Sequence, residues 1–125
     1  MKENQLIILN KRSTVEVSKP VHNQCRDVGF RLYDYHAKIY SRPLLNRDGW
    51  IIDNTAIHSA VKAALEQSGS CEQMLLRGLD ELNTLLTINK VEFLKIYLMI
   101  KPSGSDSTTS FEGIVHYKKY SHEEN

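Results

Sequence analysis

Apolar and polar positions along the chain fall into blocks with two different periods. Leu6-Ile7-Ile8-Leu9 and the alternating Thr14-Val15-Glu16-Val17 predict one long strand, or two short ones interrupted at Asn10-Lys11-Arg12-Ser13, with Pro20 as the stop. After a polar stretch from His22 to Asp27, Phe30 to Tyr40 alternates well enough for a second strand. Tyr33, Tyr35, Ala37 and Ile39 share one face, while Phe30 and Leu32 fall on the other, and a bulge near Leu32 would account for the change of phase. Pro43 ends this strand, and Asn46-Arg47-Asp48-Gly49 is a turn by composition.

The period then changes. Trp50-Ile51-Ile52 leads into Asp53, Asn54 or Thr55, any of which can cap a helix whose apolar stripe is Ile57, Val61, Ala64 and Leu65. Ser68-Gly69-Ser70 breaks it. Ser70 with Gln73 three residues on has the pattern of a capping box, and opens a second helix with Leu75, Leu79, Leu82 and Leu86 on one face, ending at Asn89. Val91 to Lys101 is a strand with Leu94, Ile96, Leu98 and Ile100 on one side and Phe93, Lys95, Tyr97 and Met99 on the other. Pro102 to Ser110 is a loop rich in Ser, Gly and Thr, and Phe111 to Tyr117 is the last strand. The predicted fold class is therefore α+β in the order ββααββ: a four-stranded antiparallel sheet with two helices on one face. Both sheet edges are open, so self-association is expected to cover them.

Composition limits what such a domain can do. At 125 residues, 41% apolar and 25% charged, the chain is read as one globular domain over residues 1–125; disorder and a two-domain enzyme are excluded. A domain of this size has little room for a deep private cleft, so a sizeable ligand site is expected at a subunit interface. Sixteen basic against 15 acidic side chains leave a net charge of +1, without the cationic excess that would gather nucleic acid or an anionic membrane. Lys118-Lys119 is a short basic run near the C-terminus and is read as a solvated strand end. The polar Met1-Lys-Glu-Asn-Gln start and the absence of a long apolar run lead us to expect a complete, cytoplasmic protein. Cys25 and Cys71, with no CxxC between them, are read as reduced thiols.

No Gly-rich phosphate loop, HExxH or GxSxG motif is present. The element order, Trp50-Ile-Ile-Asp53 before the first helix, Ser70-Cys-Glu-Gln-Met74 opening the second, and Met99-Ile-Lys-Pro102 before a loop ending in Phe111-Glu-Gly-Ile-Val115 together resemble the tunnelling fold. Within it the sequence most resembles the dihydroneopterin aldolase and dihydroneopterin triphosphate epimerase group, from about Leu6 to Tyr117. The resemblance implies a homotetramer or homo-octamer closed into a barrel, a small-molecule pterin as ligand, and no metal or organic cofactor.

It also assigns residues. Glu72 matches the family glutamate that accepts two hydrogen bonds from the pterin amino and ring N–H groups, a task suited to a two-oxygen acceptor at a helix N-terminus. Cys71 stands beside it in the substrate-binding segment. Lys101 matches a family lysine that moves protons at the pterin. Backbone groups around Thr55, Ala56 and Ile57 would receive the far edge of the ring from a neighbouring subunit. Two departures accompany these matches. Where the aldolases carry a tyrosine entering the first helix, this chain has Ile57 and His58, so His58 is the candidate acid or base there. Where they carry a catalytic glutamate after the first strand, it has His22, Asn23 and Gln24. The Gly49-to-Asp53 run also resembles the 6-pyruvoyl-tetrahydropterin and 6-carboxytetrahydropterin synthases, which hold zinc with three histidines. Here the corresponding stretch is Tyr33-Asp34-Tyr35-His36, with His22 the only other upstream histidine, and this does not make a three-histidine site.

Overall fold

The computed structural model describes residues 5–17, 32–67, 69–103 and 110–117. Pro20, the His22–Asp27 stretch with Cys25, Phe30 and its change of phase, the Pro102–Ser110 loop beyond Ser103 and Lys118-Lys119 therefore lie wholly or partly outside the described residues. The elements follow the expected order: β1 (Ile7–Glu16), β2 (Leu32–Ser41), α1 (Asn54–Leu65), α2 (Cys71–Ile88), β3 (Phe93–Pro102) and β4 (Phe111–His116). The strands form one sheet in the order β1-β2-β3-β4, antiparallel throughout, with both helices inserted between the two central strands.

β1 is continuous. Asn10 to Ser13, where a break was one of two readings, pairs residue for residue with Lys38 to Tyr35, because an edge strand exposed on one face accepts polar residues without leaving the ladder. A second difference lies at the start of β3. Tyr40 pairs with Lys95 but Ser41 with Phe93, so Leu94 is the extra residue of a bulge. The bulge turns Phe93 onto the helix-covered face, where it is fully buried and meets Tyr117 edge to face at 5.0 Å, while Leu94 is only half-buried. Strict alternation had put Leu94 in the core and Phe93 outside it.

The core is the layer between helices and sheet. Tyr33, Tyr35, Ala37 and Ile39 of β2 and Ile96, Leu98 and Ile100 of β3 face Ile57, Val61 and Leu65 of α1 and Met74, Leu75, Leu79, Leu82 and Leu86 of α2. Asp53 caps α1 by accepting from the Thr55 N–H at 2.9 Å, and the reciprocal Ser70–Gln73 box caps α2. Gly78 sets how closely α2 lies on the sheet. A Cβ there would stand 2.5 Å from Leu98 Cδ2, so the missing side chain is what admits Leu98 beneath the helix. Arg77 joins the helices by donating to the Ala64 and Gln67 carbonyls at the end of α1. Among the described residues no helix is long and apolar enough to cross a membrane.

Candidate functional site

The two helices run back on one another, so their N-termini lie at opposite ends of the layer. Gly113 of β4 sits beneath Leu75 and Leu79, which places the start of α2 over the end of the sheet where β3 finishes. Glu72, in the first turn of α2, is exposed at that end. Lys101, the penultimate residue of β3, is half-buried at the same end, opposite Asp34 in the β2–β3 register. The two groups come from different layers: Ile100 faces the helices, so by alternation Lys101 belongs to the open face of the sheet.

Thr55, Ala56 and Ile57 lie at the other end. α1 has 12 residues, so at about 1.5 Å per residue its ends are roughly 18 Å apart. One bicyclic ring cannot touch both Glu72 and Thr55 of a single chain. The N–H groups expected to meet a ligand are also occupied: that of Thr55 by the Asp53 carboxylate, and those of Ala56 and Ile57 by the Asp53 carbonyl at 3.1 and 3.4 Å. The backbone and side-chain bonds from Thr55 hold the Asp53 carboxyl below the usual carboxylate range.

The segment just before the helix is the recess instead. Leu9, Asn10 and the run Trp50 to Asn54 line a cleft of about 420 Å³, and a second of about 260 Å³ shares Trp50 to Asp53 and adds Asn46, Asp48, Ala56 and Asn89. Trp50, half-exposed, borders both. Its loop is built by Asn46, whose Oδ1 accepts from the Asp48 and Trp50 N–H groups, and by Gly49 at φ 87°. The sequence marks Trp50 as an apolar lead-in to the helix and as part of the run that carries the resemblance, not as the border of a recess; an indole flanked by a turn on one side and a helix cap on the other was the available signal.

His58 stands in α1 against β2, with the Tyr35 hydroxyl 2.9 Å from Nδ1. Burial pushes the Tyr35 phenol up to about 12. Cys71 is fully buried and engaged in a disulfide, which corrects the reading of a reduced thiol. Whether two sulfurs meet depends on tertiary approach, which cysteine number and spacing do not report. The side chain that Cys71 would offer a ligand is thus committed elsewhere.

On the open face, polar groups meet across strands. Thr14 donates to Asp34 at 2.8 Å, His36 Nε2 lies 2.8 Å from Asn10 Oδ1, and Tyr97 donates to Glu112 at 2.7 Å. Lys38 lies over the Tyr97 ring and Lys95 over that of Tyr40. Desolvation, with Arg12 and Lys38 nearby, holds His36 below its ordinary value; desolvation and the Glu112 hydrogen bond push Tyr97 up to about 12. His36 is the only histidine of the Tyr33–His36 stretch, and it faces away from the helices while Tyr33 and Tyr35 are buried beneath them. Among the described residues no three His, Cys, Asp or Glu side chains converge on a point that would hold a metal. The zinc of the three-histidine synthases therefore does not fit the described donor set.

No family model matches the chain, and no curated protein matches it. Solved structures do. The 6-pyruvoyltetrahydropterin synthase of Plasmodium vivax superposes with a TM-score of 0.57 at 9% identity, over 91% of this chain and 100% of that one. The Plasmodium falciparum 6-pyruvoyl tetrahydropterin synthase gives 0.58 at 11% identity with the same coverage. The chain thus has the tunnelling fold of these synthases, a ββααββ sheet-and-helix layer. These neighbours are synthases, and at 9–11% identity the likeness carries the fold and no closeness to the aldolases.

Proposed function

We propose that the protein binds a dihydropterin at a site completed between copies of the chain, and that it acts on the side chain of a dihydroneopterin-type substrate by retro-aldol cleavage or epimerisation. The observation that carries the reading is the exposed Glu72 carboxylate in the first turn of α2, in a fold shared with pterin synthases. A helix N-terminus favours negative charge beside it, and the two carboxylate oxygens match the adjacent amino and ring N–H donors of a 2-amino-4-oxo heterocycle. Nothing else exposed in that turn is charged.

Separation of the two helix starts gives the assembly its role. Glu72 and Lys101 of one copy would hold and protonate the ring, and the Trp50–Asn54 cleft of another would receive its far edge, with Thr55, Ala56 and Ile57 forming the first turn behind it. Four or eight copies would close the open edges of β1 and β4. Once protonated at its imine nitrogen the pterin is its own electron sink, so the chain has to orient it and shuttle protons, for which Lys101 and His58 are the candidates. No metal or organic cofactor enters this reading.

A second reading is favoured by the identity of the structural neighbours: a catalytically reduced relative that binds a pterin or purine-like ring, or a 6-pyruvoyl-tetrahydropterin or 6-carboxytetrahydropterin synthase-like member lacking the zinc site. Incubation with 7,8-dihydroneopterin, followed by fluorescence, separates them. Side-chain cleavage or epimerisation is expected; binding without product leaves the second reading. Size-exclusion chromatography is expected to give a multimer, and a monomer of 14.4 kDa would remove the shared site.

A further inference from the structure

The hydrogen bond between Tyr35 and His58 does more than join α1 to the sheet. Tyr35 is 2% exposed, and its phenol oxygen lies 2.9 Å from His58 Nδ1, with the two rings tilted at 39° and their centres 5.8 Å apart. His58 is half-buried, three residues into the helix from its Thr55 turn. Among the described residues this is the sole hydrogen bond of the Tyr35 hydroxyl.

A phenol carries one proton to give. On a side chain almost wholly removed from water, an O–H that donated to nothing would lose hydration without a full replacement. The Tyr35 phenol keeps its proton throughout the neutral range. The imidazole nitrogen facing it can therefore serve as the acceptor, and a neutral ring that accepts at Nδ1 carries its own hydrogen on Nε2.

We propose that Tyr35 is a positioning residue that holds His58 as the Nε2–H tautomer. The ring is then a fixed hydrogen-bond donor at Nε2 rather than a group that exchanges between two forms. Its rotation is limited at the same time, because turning the imidazole over would remove the acceptor from a buried hydroxyl. In the reaction proposed above, His58 offers Nε2–H to the substrate as a hydrogen-bond donor, and that proton can leave only as Nδ1 takes up the proton of the Tyr35 phenol, leaving a phenolate. This last step rests on the assignment of His58 as an acid or base; the tautomer does not.

Nitrogen-15 NMR of the imidazole tests the tautomer directly in the wild-type protein. The expected spectrum at neutral pH has Nδ1 in the unprotonated range and Nε2 in the protonated range, with a slowly exchanging Tyr35 hydroxyl proton showing contacts to the His58 ring. In Tyr35→Phe both nitrogens are expected to move toward the averaged positions of exchanging tautomers. A wild-type spectrum with the hydrogen on Nδ1, or unchanged shifts in a folded Tyr35→Phe, overturns the inference. Should Tyr35→Phe fail to fold, His58→Gln is the second variant: loss of the slow Tyr35 hydroxyl exchange supports the bond, and its retention refutes it. If the wild type turns over dihydroneopterin, Tyr35→Phe is expected to lower kcat on the order of tenfold with KM unchanged. Absence of wild-type turnover counts against the proposed reaction and leaves the tautomer result standing.

Discussion

The two faces of the sheet are made from the same strands and work by different physics. On the helix-covered face Tyr33, Tyr35, Ala37, Ile39, Ile96, Leu98 and Ile100 are almost wholly removed from water. One residue along, on the open face, Asp34, His36, Lys38, Tyr40, Lys95 and Tyr97 meet in ring contacts and short hydrogen bonds that remain within reach of solvent. The first face holds the fold together by burial, each large side chain contributing about 1.5–3 kcal/mol. The second contributes little per contact and determines what the sheet presents to a partner or ligand. The candidate site draws on both, since Glu72 belongs to the helix layer and Lys101 to the open face, and the two share only the end of the sheet.

Substitutions on each face are the sharpest way to test that division. Leu98→Ala removes a fully buried side chain beneath Gly78 and is expected to cost about 2–5 kcal/mol, read from the urea midpoint. Gly78→Val fills the space that Leu98 occupies from the other side, and overpacking there is expected to cost about 1–3 kcal/mol. Tyr97→Phe breaks the bond to Glu112 on the open face and is expected to cost no more than about 1 kcal/mol. A Tyr97→Phe loss equal to that of Leu98→Ala would erase the distinction between the faces.

The smallest expected effect depends on pH. His36 is held below its ordinary value of 6.5 in the folded chain by desolvation, Arg12 and Lys38. The unfolded chain then binds more protons, so stability rises with pH in this window and falls as pH drops through 6.5. His36→Gln keeps a polar partner for Asn10 and is expected to flatten that slope between pH 7 and 5, measured by thermal melts. An unchanged slope would assign it to other groups.

Much of this was legible from pattern because alternation and helical spacing report which side chains leave water. The Ser70–Gln73 box, the stripe Ile57, Val61, Ala64 and Leu65, and the buried set of β2 are all local in origin. Phe93 was misplaced because one bulged residue at Leu94 inverts a strand's faces without altering its composition. The disulfide at Cys71 and the recess beside Trp50 depend on segments distant in sequence, Leu9 against Ile52 for example, and no local period encodes them. Glu72 and Lys101 could be singled out only through resemblance, since an acidic residue at a helix start and a lysine at a strand end are ordinary on any surface.

Isothermal titration of 7,8-dihydroneopterin into wild type and Glu72→Ala tests the central claim. Loss of a charge-assisted pair on the ring is expected to weaken binding by about 2 kcal/mol, close to thirtyfold. Equal affinity in the two proteins, or no binding by the wild type, would contradict the account.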